Sequence, residues 1–178
     1  MIITSEFYMG NPIDVARQLV GAYLCRRCSD GNVIRARIAE LELYHESERG
    51  CHAYGGKCTA RNDAMFLSGG HAYVYLCYGL HNMLNIVIGN KGTGCAVLIR
   101  SLEYDDCNGP GKLTRTLGID RTLNKMDLTR DDVMWLEPRD CTPDIAVGTR
   151  IGIDYAGVDA ALPWRFAIRN SKYISRPI

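Results

Sequence analysis

Residues 33–44 place two acids where a sheet expects apolar side chains. Read as a strand, the segment presents Ile34, Ala36, Ile38, Glu40, Glu42 and Tyr44 on one face, because successive side chains of a strand point to opposite sides. Three apolar positions are followed by two carboxylates, with no turn residue between them. Either a β-bulge near Ala39 swaps parity, turning Leu41 and Leu43 inward and both glutamates into water, or the face leaves the core and lines a cavity into which Glu42 and Tyr44 project. In the second case a carboxylate stands in a pocket, where it can accept a proton.

Arg100 poses the same question from another strand. It shares parity with Ala96, Leu98 and Leu102 inside an apolar run. It either snorkels to solvent at the strand end or needs a carboxylate partner or a wet pocket, because burying it unpaired costs several kcal/mol. Asn85, between Leu84 and Ile86, is a third polar group in such a place, bonded to backbone or lining a pocket. Tyr44, Tyr54, Tyr73, Tyr75 and Tyr78 are half of the ten tyrosines, and His52 lies among them. Each tyrosine alone reads as core packing. Together with Glu, Arg and Asn on neighbouring strands they describe an aromatic-walled pocket suited to a planar heterocycle. Tyr78 differs, since Tyr-Gly-Leu-His puts it at a hairpin tip, where an aromatic can act as a wedge. Lys57, Thr59 and Arg61 either hold phosphates or form a solvated loop face. Gly109-Pro110-Gly111-Lys112 opens a helix and is no Walker A loop.

The elements that position these groups follow from pattern. Asn11-Pro12 starts a helix over 12–20, with Ile13, Ala16, Leu19 and Val20 as its apolar stripe. Strands are expected at 22–28 and 33–44 around an Asp30-Gly31 turn, at 71–78 and 84–88 around Gly79-Leu80-His81-Asn82, and at 95–103, 149–154 and 164–169. The stretch 46–66 is too long and polar for a passive connector. A helix begins near Pro110, with Leu113 and Leu117 on one side. The fold class is α+β: a single domain on a curved, largely antiparallel sheet with short helices and a protruding β-hairpin.

Composition narrows the classes. The chain has 178 residues, 47% apolar and 23% charged, with 21 basic and 20 acidic side chains, which suits one domain with a sizeable core and excludes disorder. No apolar run reaches the length of a membrane span, and no basic segment followed by an apolar one opens the chain. A net charge of +1 neither announces nor excludes a nucleic-acid partner, since phosphate contact depends on where cations cluster. Eight cysteines read as reduced thiols; only Cys25 and Cys28 have ligand-like spacing, and Cys51 and Cys58 lie too far apart to complete a zinc site.

The motifs Arg-Ile-Ala-Glu-Leu-Glu-Leu-Tyr (37–44), His52, Gly55-Gly56, Thr59-Ala-Arg-Asn62, Met65-Phe66, Tyr73-Val-Tyr-Leu-Cys-Tyr-Gly79 with Asn85, Ala96-Val-Leu-Ile-Arg100, Gly109-Pro-Gly-Lys-Leu113, Arg150-Ile-Gly-Ile153 and Trp164-Arg-Phe166 closely resemble the alkyladenine (3-methyladenine) DNA glycosylase family, in the family's order over most of the chain. The resemblance implies that residues 1–178 form one catalytic domain. It would be a monofunctional glycosylase of base-excision repair, acting as a monomer on duplex DNA in the cytoplasm or nucleus. It would flip out damaged purines (3-methyladenine, 7-methylguanine, hypoxanthine, ethenoadenine) and hydrolyse the N-glycosidic bond without a lyase step, metal or cofactor. By the same resemblance Glu42 is the general base, with Arg100 and the carbonyl of Ile151 holding the water. Tyr44 stacks on one face of the base, with His52 and Tyr75 on the other; Asn85 and Leu98 complete the base pocket, Asn85 discriminating against guanine. Tyr78 and Leu80 enter the duplex, and Lys57, Thr59 and Arg61 contact DNA. Arg100 is expected to keep Glu42 ionised.

The chain departs from the family pattern at Ala60 (proline), Gly111 (serine), Leu80 (methionine) and Ile151 (valine), and the 45–51 stretch is one residue shorter. Two other readings compete. A non-catalytic damaged-base or nucleic-acid binding module would lack the pocket carboxylate, and a cysteine-based metal or redox protein would rest on Cys25 and Cys28 alone.

Overall fold

The computed structural model describes residues 1–130 and 132–178. Its frame is a curled sheet in which every strand pairing among the described residues is antiparallel. Strands β1 (Tyr23–Arg27) and β2 (Val33–His45) form a hairpin that turns at Asp30 and Gly31, with β6 (Met134–Glu137) on the far edge of β1. Strands β3 (Ala72–Cys77), β4 (His81–Val87) and β5 (Cys95–Leu102) complete the order β3-β4-β5-β2-β1-β6. Strands β7 (Ile145–Gly148) and β8 (Arg165–Ile168) pair with each other, and β8 joins β2. The single α+β domain expected from pattern is the one observed.

Strand β2 organises the molecule because its thirteen residues serve three partners. Residues 33–37 pair with β1, residues 38–45 pair with β5, and residues 40–42 pair with β8 as well. The β2–β5 register breaks twice: Ile38 faces Leu102, Glu40 faces Ser101, and Leu41 faces Ile99. Ala39 and Arg100 are therefore each the extra residue of a bulge. The bulge turns Leu41 and Leu43 into the main core, as one of the two readings required. It does not send the glutamates to water. Glu40 and Glu42 are both 0% exposed, because the opposite face of the sheet is covered too.

Helix α1 (Ser5–Tyr8) buries Tyr8 and is too short to leave a periodic signal. Helix α2 (Pro12–Leu19) is capped by Asn11, whose Oδ1 accepts from the N–H groups of Ile13 and Asp14 at 3.0 and 3.4 Å. Its buried face is Val15, Ala16 and Leu19, so Ile13 stands outside the stripe and is exposed. Measured from Pro12, those positions follow the i+3, i+4, i+7 spacing of one helical face. Helix α3 (Pro110–Thr116) lies on β4, close enough that a Cβ on Gly111 would stand 3.0 Å from Cγ of His81. That approach explains the glycine.

Two strand expectations are corrected. Residues 149–154 form no strand; the strand lies just before them at 145–148, and the Ile151 N–H and the Arg150 guanidinium are directed to the buried carboxylates of Glu42 and Glu48 instead. Strand β4 begins at His81 rather than Leu84, which leaves Tyr78, Gly79 and Leu80 as the whole connection of the protruding hairpin. Strand β6 was not anticipated, since four residues are too few to show alternation.

The 46–66 stretch is folded onto the sheet. Glu46 N–H donates to Gly94 O at 2.8 Å, and Gly94 N–H donates to the Glu46 carboxylate at 2.7 Å. Asn62 binds the carbonyls of His52 and Lys57 at 2.7 and 2.9 Å. Beneath this loop a second small core gathers Cys51, Ala53, Ala64, Met65, Tyr73, Val87 and Ala96, with Tyr44 and Tyr75 packed against it.

Candidate active site

Glu42 sits mid-sheet, paired with Leu98 on one side and Arg165 on the other. Its backbone is thereby fixed, and its side chain is held as firmly. The Tyr44 hydroxyl donates to Oε2 at 2.7 Å, the Ile151 N–H donates to Oε1 at 2.8 Å, and Arg100 Nη1 lies 3.3 Å from Oε1. Burial pushes the Glu42 carboxyl above the usual carboxylate range, and the pull of Arg100, the tyrosine hydroxyl and the Ile151 N–H in the other direction does not cancel it. Arg100 acts in the expected direction, favouring the ionised form, while desolvation is the larger effect.

The three groups that hold Glu42 also line a cavity of about 630 Å³. Tyr44 projects into it as expected, but Glu42 does not: it is 0% exposed and is not among the lining residues, which include Tyr44, Arg100 and Ile151, Leu98 and Asn85 from β5 and β4, and His52, Tyr73 and Tyr75. His52 and Tyr75 meet edge to face with centroids 4.7 Å apart, and His52 Nδ1 lies 3.0 Å from the Tyr73 hydroxyl. His52 keeps an exposed edge, yet partial desolvation, aided by the nearby Arg61 cation, holds the imidazole below its ordinary value, which favours the neutral ring. Asn85 combines the two readings of its position. Its amide nitrogen donates to the carbonyls of Tyr73 and Met83 at 3.0 and 3.5 Å while the residue lines the cavity.

The hairpin tip stands at the mouth. Tyr78 and Gly79 take positive φ values of 49° and 69°, and Leu80 N–H closes the turn on Cys77 O. Two consecutive left-handed residues match the twist of the flanking antiparallel strands. Tyr78 is 92% exposed and Leu80 76%, and Tyr78 also lines the cavity. Of the loop residues singled out with them, Arg61 lines the cavity with its guanidinium 5.9 Å from the Tyr75 ring centroid. Lys57 is exposed, and Thr59 is tied to Asn62 Oδ1 through both its N–H and its hydroxyl.

This arrangement can be compared with known proteins. A family model described as methylpurine-DNA glycosylase matches residues 6–172. The chain belongs to the methylpurine-DNA glycosylase family. Among its relatives, a protein of Carboxydothermus hydrogenoformans named "Putative 3-methyladenine DNA glycosylase" is 40% identical, over 99% of this chain and all of its own length. A namesake from Borrelia garinii subsp. bavariensis is 42% identical over 96% of this chain and 97% of its own. Another from the archaeon Methanocella arvoryzae is 39% identical over 98% and 96%.

Within this glycosylase fold the sequence reading missed the group that props the cavity wall from behind. Arg150 is buried between the rings of Tyr44 and Trp164, 4.8 and 5.3 Å from their centroids, and is bidentate to Glu48. It also donates to the carbonyls of Leu43 and Asp159. Tyr44 and Ile151, which both touch Glu42, are thus fixed by a residue that never meets the cavity. Arg150 lay within a quoted motif, but Glu48 carried no signal. Tyr155, 71% exposed on the rim with its hydroxyl donating to Gly50 O, was missed as well.

All eight cysteines are free thiols. Burial pushes Cys51, under the His52 loop, up to about 12, so it stays protonated. Among the described residues no group of three or more His, Cys, Asp or Glu could hold a metal ion, and no helix is long and apolar enough to cross a membrane.

Proposed function

We propose that the protein excises alkylated or deaminated purines from duplex DNA by hydrolysing the N-glycosidic bond, with Glu42 as the general base. The observation that carries this reading is the buried carboxylate behind a ring-lined cavity, held by Arg100, Tyr44 and the Ile151 N–H. A purine extruded from the duplex would enter between Tyr44 and the His52–Tyr75 pair. Glu42 would take a proton from a water steadied by Arg100 and the Ile151 carbonyl as the water oxygen attacks C1′. The C1′–N bond breaks, its electron pair leaving with the base. A carboxylate suits this step twice over, because the sugar develops oxocarbenium character that a nearby anion stabilises.

No lysine stands among the described residues that line the cavity, which supports water rather than an amine as nucleophile and hence a monofunctional reaction without a lyase step. Selectivity would be layered. Damaged purines pair and stack poorly, so extruding them costs less than extruding a normal base, by an amount within the few kcal/mol that flipping requires. Cationic alkylpurines would gain from electron-rich rings. Hypoxanthine and ethenoadenine, being neutral, would depend on hydrogen bonds near His52, and Asn85 would crowd the exocyclic amine of guanine. Tyr78, with Leu80 beside it, would fill the space the base vacates, while Arg61 and Lys57 meet phosphates.

The test is Glu42→Gln on duplexes carrying 3-methyladenine, 7-methylguanine, hypoxanthine or ethenoadenine. The variant should bind lesion duplex and release no base. Single-turnover cleavage near the wild-type rate would refute the assignment, and a wild-type protein that binds but releases no base would leave a recognition module.

A further inference from the structure

Glu40 belongs to the same buried chain of charges as Glu42, and neither carboxylate is among the residues that line the cavity. Its Oε1 accepts from Arg165 Nη1 at 3.0 Å and lies 3.3 Å from Arg100 Nε, while its Oε2 accepts the Ser175 N–H at 2.6 Å. Arg100 therefore stands between two carboxylates, its Nε 3.3 Å from Glu40 and donating to the Ser175 hydroxyl at 3.2 Å, its Nη1 3.3 Å from Glu42. Arg165 anchors the other end of the chain. It donates to Thr149 O at 2.8 Å and to the carbonyls of Arg176 and Pro177 at 3.2 and 3.0 Å. The segment 175–177, more than 130 residues from Glu40 in sequence, is thus joined to the group that faces the proposed base. Both glutamate side chains are 0% exposed, and the two guanidinium side chains 9% and 7%.

We infer that Glu40, held by Ser175 and Arg165, is a positioning residue that sets the basicity of Glu42 by taking a share of Arg100. A guanidinium divided between two carboxylates steadies each anion less than one devoted to a single partner, and the second carboxylate adds repulsion across a dry interior. Both effects raise the proton affinity of Glu42, and its Coulombic interaction with Glu40 has that sign. The other groups facing Glu42 are Arg100 from β5, the Tyr44 hydroxyl from β2 and the Ile151 N–H from the segment after β7; Arg150 acts from behind Tyr44, and the side chain of Arg165 on β8 is directed to Glu40. The two-bond grip on Glu40 also keeps Arg100 from swinging wholly onto Glu42. The inference rests on the proposed role of Glu42 as base.

The experiment is the pH profile of single-turnover excision for wild type, Glu40→Gln and Glu42→Gln, with melting curves to establish folding. Glu40→Gln should move the acid limb down by about one pH unit, a tenfold change in proton affinity, and lower the plateau because a weaker base remains. A purely structural role would lower the plateau without moving the limb. If Glu42→Gln is inactive and folded Glu40→Gln leaves the limb in place, this inference is overturned while the assignment of Glu42 stands. If Glu42→Gln stays active, it is the assignment that falls. Should Glu40→Gln not fold, Glu40→Asp decides in its place: it keeps the charge but withdraws it from Arg100, so the limb should move down by less, and an unmoved limb overturns the inference.

Discussion

Arg150 grips Glu48 through two parallel hydrogen bonds of 2.7 and 2.8 Å, with both side chains out of water. The pair spans 102 residues of sequence and ties the segment after β7 to the end of β2. Two of the three groups that steady Glu42, the Tyr44 hydroxyl and the Ile151 N–H, belong to residues held by this pair.

Removing one partner leaves a buried charge alone, which costs about 3–5 kcal/mol. Arg150→Met should therefore lower the urea midpoint strongly and lower Tm by about 2–4 °C for each kcal/mol. Arg150→Met combined with Glu48→Leu should lose less than the sum of the two single variants, because no unpaired charge remains. A strictly additive double variant, measured by urea denaturation, would show that the pair is not coupled.

The raised carboxyl of Glu42 makes two statements about pH. As a base it acts only when ionised, so the acid limb of excision should lie above 4.5, the ordinary glutamate value. For stability the sign is set by which state holds more protons. Between 4.5 and the raised folded value the folded state binds the extra proton, so this group's contribution is full below that window and is lost as pH rises through it. Urea denaturation from about pH 4 to about pH 8 should show wild type losing stability relative to Glu42→Gln across the window. A constant difference between the two proteins would contradict the raised value.

Tyr78 is nearly fully exposed, so its ring contributes little to the fold. Tyr78→Ala should leave Tm within about 1 °C of wild type, as for surface substitutions generally, while weakening binding to lesion duplex by roughly tenfold, since base–aromatic stacking is worth about 1–3 kcal/mol. Equal affinity in a fluorescence-anisotropy titration would remove the wedge from the account.

Much of this protein was legible along the chain, because local patterns report local physics. Asn11-Pro12 caps a helix with the side chain it carries, and Tyr78-Gly79 makes the turn that a hairpin of that length demands. The polar residues at 40, 42, 85 and 100 stood out since an apolar alternation tolerates them poorly, and the structure brings all four to one region. Residues 149–154 misled for the opposite reason. The segment is expected as a strand, while it is shaped by what Arg150 and the Ile151 N–H bind across the molecule.

The amino-acid order alone determined the antiparallel α+β frame, the clustering of tyrosines and the out-of-place acids at 40 and 42, since parity, turn residues and side-chain polarity act within a few residues of each other. Only the tertiary structure decided that the bulge at Ala39 leaves both glutamates dry, that Arg100 is divided between them, and that Glu48 and Ser175 reach the site at all. Those outcomes depend on how closely distant segments approach and on how much water they exclude, and neither quantity is carried by any single stretch of the chain.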